Sequence, residues 1–345
     1  MICPICLCVS IKDFRHRLWD VHLGKRCDWG ETRLIQKTQE RITPDRLDSE
    51  EDYLRYLRHV FAYEFAKATI PNTAFVLDVG CGEGYGTSLL SQKVAHVIGI
   101  DIDCSTILHA SRKYGSQRCT FRTCNGARIP YQDNSFDAVT SFQVIEHIRD
   151  DMSFVEEVYR VLKRSGIFIV TTPNRAYRLR PGQKPWNRFH VREYSACELE
   201  NVLRSSFRDV HVWGIRGNEE VQRMEMENAQ RALKIAPFEP LCRLIPYPLE
   251  GLVRILGRVR RGNKRSDSNR NFISRYGLGD YYVVRDNARE SLDLLGISRK
   301  WLEQGSGVHL VAACFFRLIS TFQTRLTVMT YRVVNRRSHQ AHPYN

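Results

Sequence analysis

Short apolar runs alternate with amphipathic stretches between Phe75 and Pro173. The runs are FVLDVG, VIGIDID, CTFRTC, FDAVTSF and GIFIVTTP, and several of the stretches between them are of helical length. Short runs rich in Val and Ile, joined by helical patterns, are typical of parallel strands connected by crossover helices. The pattern therefore predicts a doubly wound α/β fold.

The flanking sequence extends this domain in both directions. EDYLRYLRHVFAYEFAKATIP predicts a long helix that ends at Pro71 and covers one end of the sheet. RDVHVWGIRG, DYYVVRD and SLDLLGI are further strand-like runs, and helical and basic sequence separates the first from the other two. We expect a Rossmann-like, mostly parallel sheet of seven strands within residues 49–297, with a helical and basic insertion at about 218–276 before the last strands. Extensions at 1–48 and 298–345 flank this domain.

The composition limits the class of protein. Hydrophobic residues make up 43% of the 345 residues, which excludes global disorder, and 11 cysteines are too few for a disulfide scaffold. No segment approaches the roughly 18 apolar residues that a membrane-spanning helix needs, so we expect a cytoplasmic protein. Fifty-two Lys and Arg against 38 Asp and Glu leave a net charge of +14, which favours an anionic partner such as nucleic acid, lipid headgroups or a phosphorylated substrate.

The first apolar run ends in a glycine-rich turn, Asp78-Val79-Gly80-Cys81-Gly82-Glu83-Gly84. Gly80, Gly82 and Gly84 let the backbone bend tightly and approach a ligand, and the helix that follows offers unpaired N–H groups. The same glycines are also compatible with a plain turn. Asp78 and Glu83 would repel the pyrophosphate that a dinucleotide-binding turn receives. A cationic cofactor suits this acid-lined turn better, and S-adenosylmethionine carries sulfonium and ammonium groups.

A second acidic residue supports this interpretation. Asp101 is the first acid of the VIGIDID run and lies twenty-one residues after Gly80, where a carboxylate can accept both ribose hydroxyls or cap the next helix. With VLDVGCGEGYG, VIGIDID, RIPYQDNSFDAVTSFQVIEHI and VLKRSGIFIVTTPN in this order, the sequence resembles the class I S-adenosylmethionine-dependent methyltransferases, in particular the UbiE-like group of methyltransferase domain 11. The resemblance spans residues 41–297.

The resemblance implies a set of cofactor contacts. It assigns Asp78 and the glycines to the methionine end of S-adenosylmethionine and Asp101 to the ribose. Asn125 stands where the family contacts adenine, and Phe142, which also suits a core position, would border the adenosyl and methyl groups. The expected cofactor-binding residues are Asp78, Gly80, Gly82, Gly84, Asp101, Ile102, Asn125, Gly126, Phe142 and Gln143.

The sequence after TTPN is expected to contribute the residues that bind and activate the methyl acceptor. It resembles a branch of the family that is often associated with sugar or cell-surface glycan methylation, and the match is carried by Asn187, His190, Arg192 and Glu193. An attacking hydroxyl benefits from losing its proton, and imidazole titrates near neutral pH. His190 is therefore the leading candidate base, with Glu193 to orient it or to bind a sugar hydroxyl. His147 of VIEHI is the second candidate, and a structural role stays open for both histidines.

Two further segments carry less specific patterns. Cys3, Cys6, His22 and Cys27 have spacings that suit zinc, but one cysteine stands where a ribbon needs two, so a degenerate ribbon without metal is favoured. LEGLVRILGRVRRG combines an apolar helical face with arginines. This pattern fits either peripheral contact with an anionic membrane, at its inner face, or a lid or core helix.

Together these patterns predict a methyltransferase that O-methylates a saccharide, a glycan or another polar small molecule. A tRNA-modifying methyltransferase is the alternative that the positive charge supports, although no RNA-binding module with a basic and aromatic signature is recognisable. A non-catalytic scaffold that docks to membranes or partners through the basic insertion is the third hypothesis. The intact glycine turn and Asp101 argue against it.

Overall fold

The computed structural model describes residues 49–124, 128–185, 187, 189–235, 272–285 and 288–300, together with Ile42, Pro44, Asp45 and Leu47. Several predictions fall outside the described residues: the arginine-rich helix within 249–262, most of the extension from 298 to 345, and the residues Cys3, Cys6, His22, Cys27, Asn125 and Gly126.

Within the described residues, eight strands form one sheet in the order β3-β2-β1-β4-β5-β8-β6-β7. β1 to β5 pair in parallel, whereas β8 is antiparallel to both β5 and β6. This is the predicted doubly wound, mostly parallel arrangement. The strands are β1 (Phe75–Val79), β2 (His96–Asp101), β3 (Cys119–Thr123), β4 (Phe136–Phe142), β5 (Leu162–Pro173), β6 (Asp209–Gly217), β7 (Tyr281–Val284) and β8 (Asp293–Arg299).

The predicted total of seven strands was wrong, because all eight strand-like runs of the sequence form strands, including DYYVVRD, which contains β7. β7 pairs antiparallel with β6 at the edge of the sheet. This strand of only four residues is stabilised by the burial of Tyr281 and Val283. The hydroxyl of Tyr281 also donates to the carbonyl oxygen of Leu54 at 2.9 Å. No local pattern encodes that contact with a distant helix. β8 also continues to Arg299, two residues beyond the predicted end of the domain.

Helices lie on the sheet and at its edge. They are α1 (Glu50–Thr69), α2 (Tyr85–Ser91), α3 (Cys104–Tyr114), α4 (Asp151–Val161), α5 (Arg175–Arg178), α6 (Ala196–Arg204), α7 (Glu219–Ile235) and α8 (Phe272–Arg275). α7 and α8 belong to the predicted insertion, of which residues 236–271 lie outside the described part. None of the helices in the described ranges is long and apolar enough to cross a membrane.

α1 is the helix predicted upstream of Pro71, and it carries both core and site residues. Its Leu54 and Phe61 are completely buried in the hydrophobic core. Arg58 and His59 lie on a neighbouring stripe and line a cavity at the edge of the sheet. α1 therefore joins the core of the domain to the cavity.

The carboxyl ends of four parallel strands meet at that edge. β1 leads into the glycine turn, β2 ends at Asp101, β4 leads into Gln143, and β5 leads into Asn174. In open α/β sheets, ligands bind in the crevice outside the carboxyl ends of the strands. The topology thus gathers the predicted site residues in one region.

Asn174 fastens the end of β5 to the segment before β8. The residue is completely buried. Its side-chain amide donates to the carbonyl oxygens of Ala288 and Ser291 at 2.8 Å each, and its side-chain oxygen accepts from the N–H of Ala176 at 3.1 Å. The side chain of Asn174 uses two N–H hydrogens as donors and its oxygen as an acceptor at the same time, so position 174 requires an amide side chain.

We predict that Asn174→Asp lowers the free energy of unfolding by about 2 to 3 kcal/mol, because a carboxylate oxygen would face two carbonyl oxygens without a hydrogen to donate. Urea denaturation followed by circular dichroism measures the change. Asn201→Asp, at an exposed position of α6, is the matched control and should leave the midpoint unchanged. Equal destabilisation of both variants would contradict the role of Asn174.

Candidate active site

A cavity of about 470 Å³ lies at the carboxyl edge of the sheet. Small-molecule and cofactor sites occupy roughly 300 to 1,000 Å³. Asp78, Gly84 and Glu193 do not line this cavity, although sequence reasoning assigned them to the site. The predicted residues that do line it are Gly80, Gly82, Asp101, Ile102, Phe142, Gln143, His147 and His190.

The glycine turn forms one wall of the cavity. Gly80, Gly82 and Gly84 have φ angles of +75°, +51° and +83°, in the left-handed region that side chains disfavour. The N–H of Gly80 donates to the carbonyl oxygen of Ile100 at 2.7 Å, which attaches the turn to β2. A methyl group on Gly80 would lie 2.3 Å from Cγ2 of Val144, whereas one on Gly82 would meet nothing within 4 Å. Gly82 therefore presents bare backbone to open space.

Asp78 lies beneath this turn and is completely buried. Its carboxylate accepts hydrogen bonds from the hydroxyls of Thr87 at 2.6 Å, Thr140 at 2.8 Å and Tyr63 at 3.1 Å. Burial raises the pKa of Asp78 to about 6, and the three hydroxyl groups act in the opposite direction. Because the side chain does not line the cavity, it acts on a ligand through its charge and through the turn that it supports.

Asp101 ends β2 and lines the cavity. Its Oδ2 accepts from the N–H of Gly82 and its Oδ1 from the N–H of Asp103, both at 3.0 Å. Asp103 is the residue that caps α3, since its side chain accepts from the N–H of Ser105 at 3.1 Å. The helix-capping interpretation of Asp101 was therefore wrong. Its carboxylate instead holds the glycine turn against the cavity.

Aromatic side chains form another part of the wall. The rings of Tyr63 and Phe142 meet edge to face with centroids 4.7 Å apart, and Nδ1 of His59 lies 2.7 Å from the hydroxyl oxygen of Tyr85. Phe142 is 2% exposed and still lines the cavity, so its core and pocket interpretations both hold. Burial lowers the pKa of His59 to about 4, so this ring is neutral at physiological pH.

His147 and His190 come together from two segments of the chain. Their rings meet edge to face with centroids 4.8 Å apart. Nδ1 of His147 lies 3.0 Å from the carbonyl oxygen of Phe189, and Nδ1 of His190 lies 2.9 Å from Oε1 of Glu193. Carbonyl and carboxylate oxygens accept hydrogen bonds, which assigns a proton to each Nδ1 and makes each Nε2 an acceptor. The three predicted catalytic residues are thus adjacent.

Glu146 lies beside the two histidines and is completely buried. Its Oε2 accepts from the hydroxyl of Thr172 at 3.1 Å, and burial raises the pKa of Glu146 to about 8. One ligand atom each from Glu146, His147 and His190 lies within 4.8 Å of the others. In the described part of the chain, these are the residues whose arrangement suits a metal ion.

A network of charged side chains continues from this cluster. Arg58 forms ion pairs with Glu225 and Asp293, each at 2.8 Å. Arg178 lies 3.5 Å from Glu193, and both of these side chains are largely buried. The network links α1, α7 and β8 to the loop that carries His190.

The contribution of α1 to the site was not predicted. Arg55, His59 and Tyr63 follow one another at intervals of four residues, so they share a helix face, and all three line the cavity. This four-residue spacing was the feature of the sequence that could have predicted a polar helix face at the site. The partners of this face were not recognisable from a local pattern, because His59 contacts Tyr85 and Tyr63 contacts Asp78, which lie 26 and 15 positions further along the chain.

Comparisons with known proteins agree with this geometry. A protein-family model described as a methyltransferase domain matches residues 77–170. A probable S-adenosylmethionine-dependent methyltransferase of Mycobacterium tuberculosis is 37% identical over 217 residues, which are 60% of this chain and 77% of that protein. A probable S-adenosylmethionine-dependent methyltransferase of Mycolicibacterium smegmatis is 45% identical over 132 residues, which are 38% of this chain and 50% of that protein.

Among solved structures, the YcgJ protein of Bacillus subtilis matches with a TM-score of 0.42 and 18% identity, covering 71% of this chain and 99% of that one. The family model covers the glycine turn, β2 and the segment with His147. The Mycobacterium tuberculosis match extends over more than three quarters of that relative. The chain therefore belongs to the class I S-adenosylmethionine-dependent methyltransferases, and S-adenosylmethionine is its cofactor.

Proposed function

We propose that the enzyme transfers a methyl group to a hydroxyl oxygen of a polar acceptor, which is a saccharide, a glycan or a similar small molecule. The observation that carries this proposal is the contact of 2.9 Å between Nδ1 of His190 and Oε1 of Glu193, next to the cavity. A carboxylate that orients an imidazole is a recurrent arrangement for taking a proton from a hydroxyl group.

The residues around the glycine turn suit S-adenosylmethionine. Gly82 leaves open space beside its backbone, and the carboxylates of Glu83 and Asp101 belong to the cavity wall. Asp78 adds a negative charge beneath the turn, and such a site favours a cationic ligand. Asp101 is suited to accept from the ribose hydroxyls. Asn125 stays a predicted adenine contact and Gly126 a predicted cofactor contact, and the proposed cofactor contacts within the cavity are Gly80, Gly82, Asp101, Ile102, Phe142 and Gln143.

When bound, S-adenosylmethionine supplies a methyl carbon activated by sulfonium; the acceptor oxygen bonds to this carbon while the carbon–sulfur bond breaks and its electron pair stays on sulfur. The hydroxyl proton passes to Nε2 of His190. Glu193 holds the ring in the tautomer that can accept this proton, and its charge stabilises the imidazolium that forms. The His190 side chain is 5% exposed, so little water competes at this position.

The rest of the cavity favours an acceptor with several hydroxyl groups. Oδ1 of Asp293 is buried and has no hydrogen-bond partner among the described residues. Buried polar atoms are nearly always hydrogen-bonded, and the hydroxyl groups of a saccharide can donate to this carboxylate. Asn187 and Arg178 also line the cavity and offer further polar contacts.

Incubation of the purified enzyme with methyl-labelled S-adenosylmethionine and fractionated cell extract tests the acceptor class. We expect label in carbohydrate-containing fractions, in a form that resists alkaline hydrolysis as a methyl ether does. Label in tRNA would favour the RNA-modifying alternative. Cofactor binding without transfer to any fraction would favour the scaffold hypothesis, and either result would overturn the proposal.

We predict that the affinity for S-adenosylmethionine falls by about tenfold between pH 7 and pH 5, because a carboxyl group with a pKa near 6 is mostly neutral at pH 5 and no longer attracts a cation. Isothermal titration calorimetry at the two pH values measures the change. Asp78→Asn is the control, since it should bind weakly at both. A pH dependence that survives in this variant would assign the effect to another group.

We predict that His190→Gln reduces kcat by about 10²- to 10⁴-fold and leaves the Kd for S-adenosylmethionine unchanged, because the side chain acts on the acceptor hydroxyl. Single-turnover methyl transfer and calorimetry measure the two quantities. His211→Gln, at an exposed position of β6, is the matched control and should behave as the unmodified enzyme. A parallel loss of turnover and cofactor affinity would contradict the role of His190.

A further inference from the structure

We infer that Glu146, His147 and His190 form a binding site for one divalent transition-metal ion. One carboxylate oxygen and one nitrogen from each imidazole lie within 4.8 Å of one another. Two imidazoles with one carboxylate favour ions such as Fe²⁺, Co²⁺ or Zn²⁺ over Mg²⁺ and Ca²⁺, which prefer oxygen ligands.

The orientation of both imidazoles is that of metal-binding histidines. A histidine that binds a metal through one nitrogen usually donates its other N–H to a carboxylate or a backbone carbonyl. His147 has such a partner in the carbonyl oxygen of Phe189 at 3.0 Å, and His190 has one in Oε1 of Glu193 at 2.9 Å. Both contacts engage Nδ1, so Nε2 is the nitrogen assigned to the metal in each ring.

The carboxylate of Glu146 supplies an independent observation. The residue is completely buried, and its Oε1 has no hydrogen-bond partner among the described residues. Buried polar atoms nearly always have a hydrogen-bond partner, so an unpartnered buried oxygen calls for a ligand. Oε2 is already engaged by Thr172, so Oε1 is the oxygen assigned to the ion.

Main-chain hydrogen bonds keep the ligand-bearing segments together. The carbonyl oxygen of Glu146 accepts from the N–H of Val191 at 2.8 Å, directly after His190. The guanidinium group of Arg192 reinforces this main-chain pairing by donating to the carbonyl oxygen of Arg149 at 2.6 Å. The loop with His190 is thus attached to the short 3₁₀ helix Ile145–His147, which carries the other two ligands. Ligands held by such a framework need only small shifts to reach metal-ligand distances.

The local charge also favours a divalent cation. The carboxyl group of Glu146 interacts electrostatically with the carboxyl groups of Asp293 and Glu193. Arg58 forms ion pairs with both Asp293 and Glu225, which adds Glu225 to the same group of charges. In this part of the described chain, four carboxylates face two guanidinium groups, those of Arg58 and Arg178. Carboxyl groups outnumber guanidinium groups here, so the site has no excess of positive charge that would repel a divalent ion. The members of this set are Glu146, Glu193, Glu225, Asp293, Arg58 and Arg178.

The function of the ion rests on the proposed function of the enzyme. Three protein ligands leave coordination positions for water or for the acceptor hydroxyl, because all three residues line the cavity. A bound divalent ion lowers the pKa of a coordinated hydroxyl group. With Nε2 of His190 engaged by the ion, the ion replaces His190 as the group that activates the acceptor hydroxyl. The hydroxyl proton then passes to a hydroxide or water ligand at another coordination position, and the oxygen bonds to the methyl carbon while the carbon–sulfur bond breaks.

A cobalt titration of the full chain tests the site. After removal of metal with a chelator and dialysis, Co²⁺ is added and its visible absorption is recorded. We expect weak visible bands typical of nitrogen and oxygen ligands, which differ from the intense near-ultraviolet band of cysteine-bound Co²⁺. These bands should disappear in Glu146→Gln and in His147→Gln, and they should persist in His211→Gln. Calorimetry with S-adenosylmethionine shows that each variant is folded.

Glu193→Gln supplies a graded comparison. This variant weakens the contact that orients His190 without removing a ligand, so we expect the affinity for Co²⁺ to fall by about 10- to 100-fold. Absence of the nitrogen and oxygen bands in the unmodified enzyme, or identical bands in Glu146→Gln, would overturn the site.

The two proposals fail in different ways. If Co²⁺ binds as expected but no hydroxyl acceptor is methylated, the metal site stands and the proposed function is wrong. If carbohydrate is methylated at an undiminished rate after metal removal and no Co²⁺ is bound, the metal site is wrong and His190 acts as the base.

Discussion

Burying the carboxylate of Asp78 beneath a turn of bare backbone costs free energy, and hydroxyl groups from three different elements offset that cost. Tyr63 lies on α1, Thr87 on α2 and Thr140 on β4, and each donates to the same carboxylate. The three elements are therefore fixed relative to the turn through a single side chain. Because the carboxylate is shielded from solvent, its charge reaches the cofactor site through a medium of low polarizability and is screened little by salt.

The edge of the sheet brings a second set of segments together by a similar principle. The segment after β4 carries Glu146 and His147, and the segment after β5 carries His190 and Glu193. A backbone hydrogen bond from Val191 to the carbonyl oxygen of Glu146 joins the two. The glycine turn is thus organised around a buried side chain, whereas the histidine cluster is organised around main-chain pairing. Sequence changes in the segments after β4 and β5 can therefore alter the histidine cluster without disturbing the glycine turn.

The features that could be predicted depend on near neighbours in the sequence. The turn at Gly80 and Gly82, the strand end at Asp101 and the spacing of His190 and Glu193 are each set within a few residues. The structure places the two glycines, Asp101 and His190 around one cavity, and Glu193 contacts His190 without lining that cavity. The features that could not be predicted depend on contacts across long separations. Tyr281 donates to the carbonyl oxygen of Leu54 across 227 positions, which attaches β7 to α1, and Asp78 is buried by side chains that no local pattern assigns to it.

The charge of the whole chain and the charge of the cavity point to different ligands. The full sequence has a net charge of +14, which favours anionic partners. The cavity wall instead contains six acidic residues and four arginines, and Arg55 and Arg58 are already paired with acids. A phosphate-rich acceptor would meet this excess of acid, whereas a cationic cofactor and a neutral, hydroxyl-bearing acceptor would not be repelled. Local charge decides what enters a buried site, since solvent screens distant surface charges, and this difference is the physical reason for proposing a saccharide acceptor over RNA.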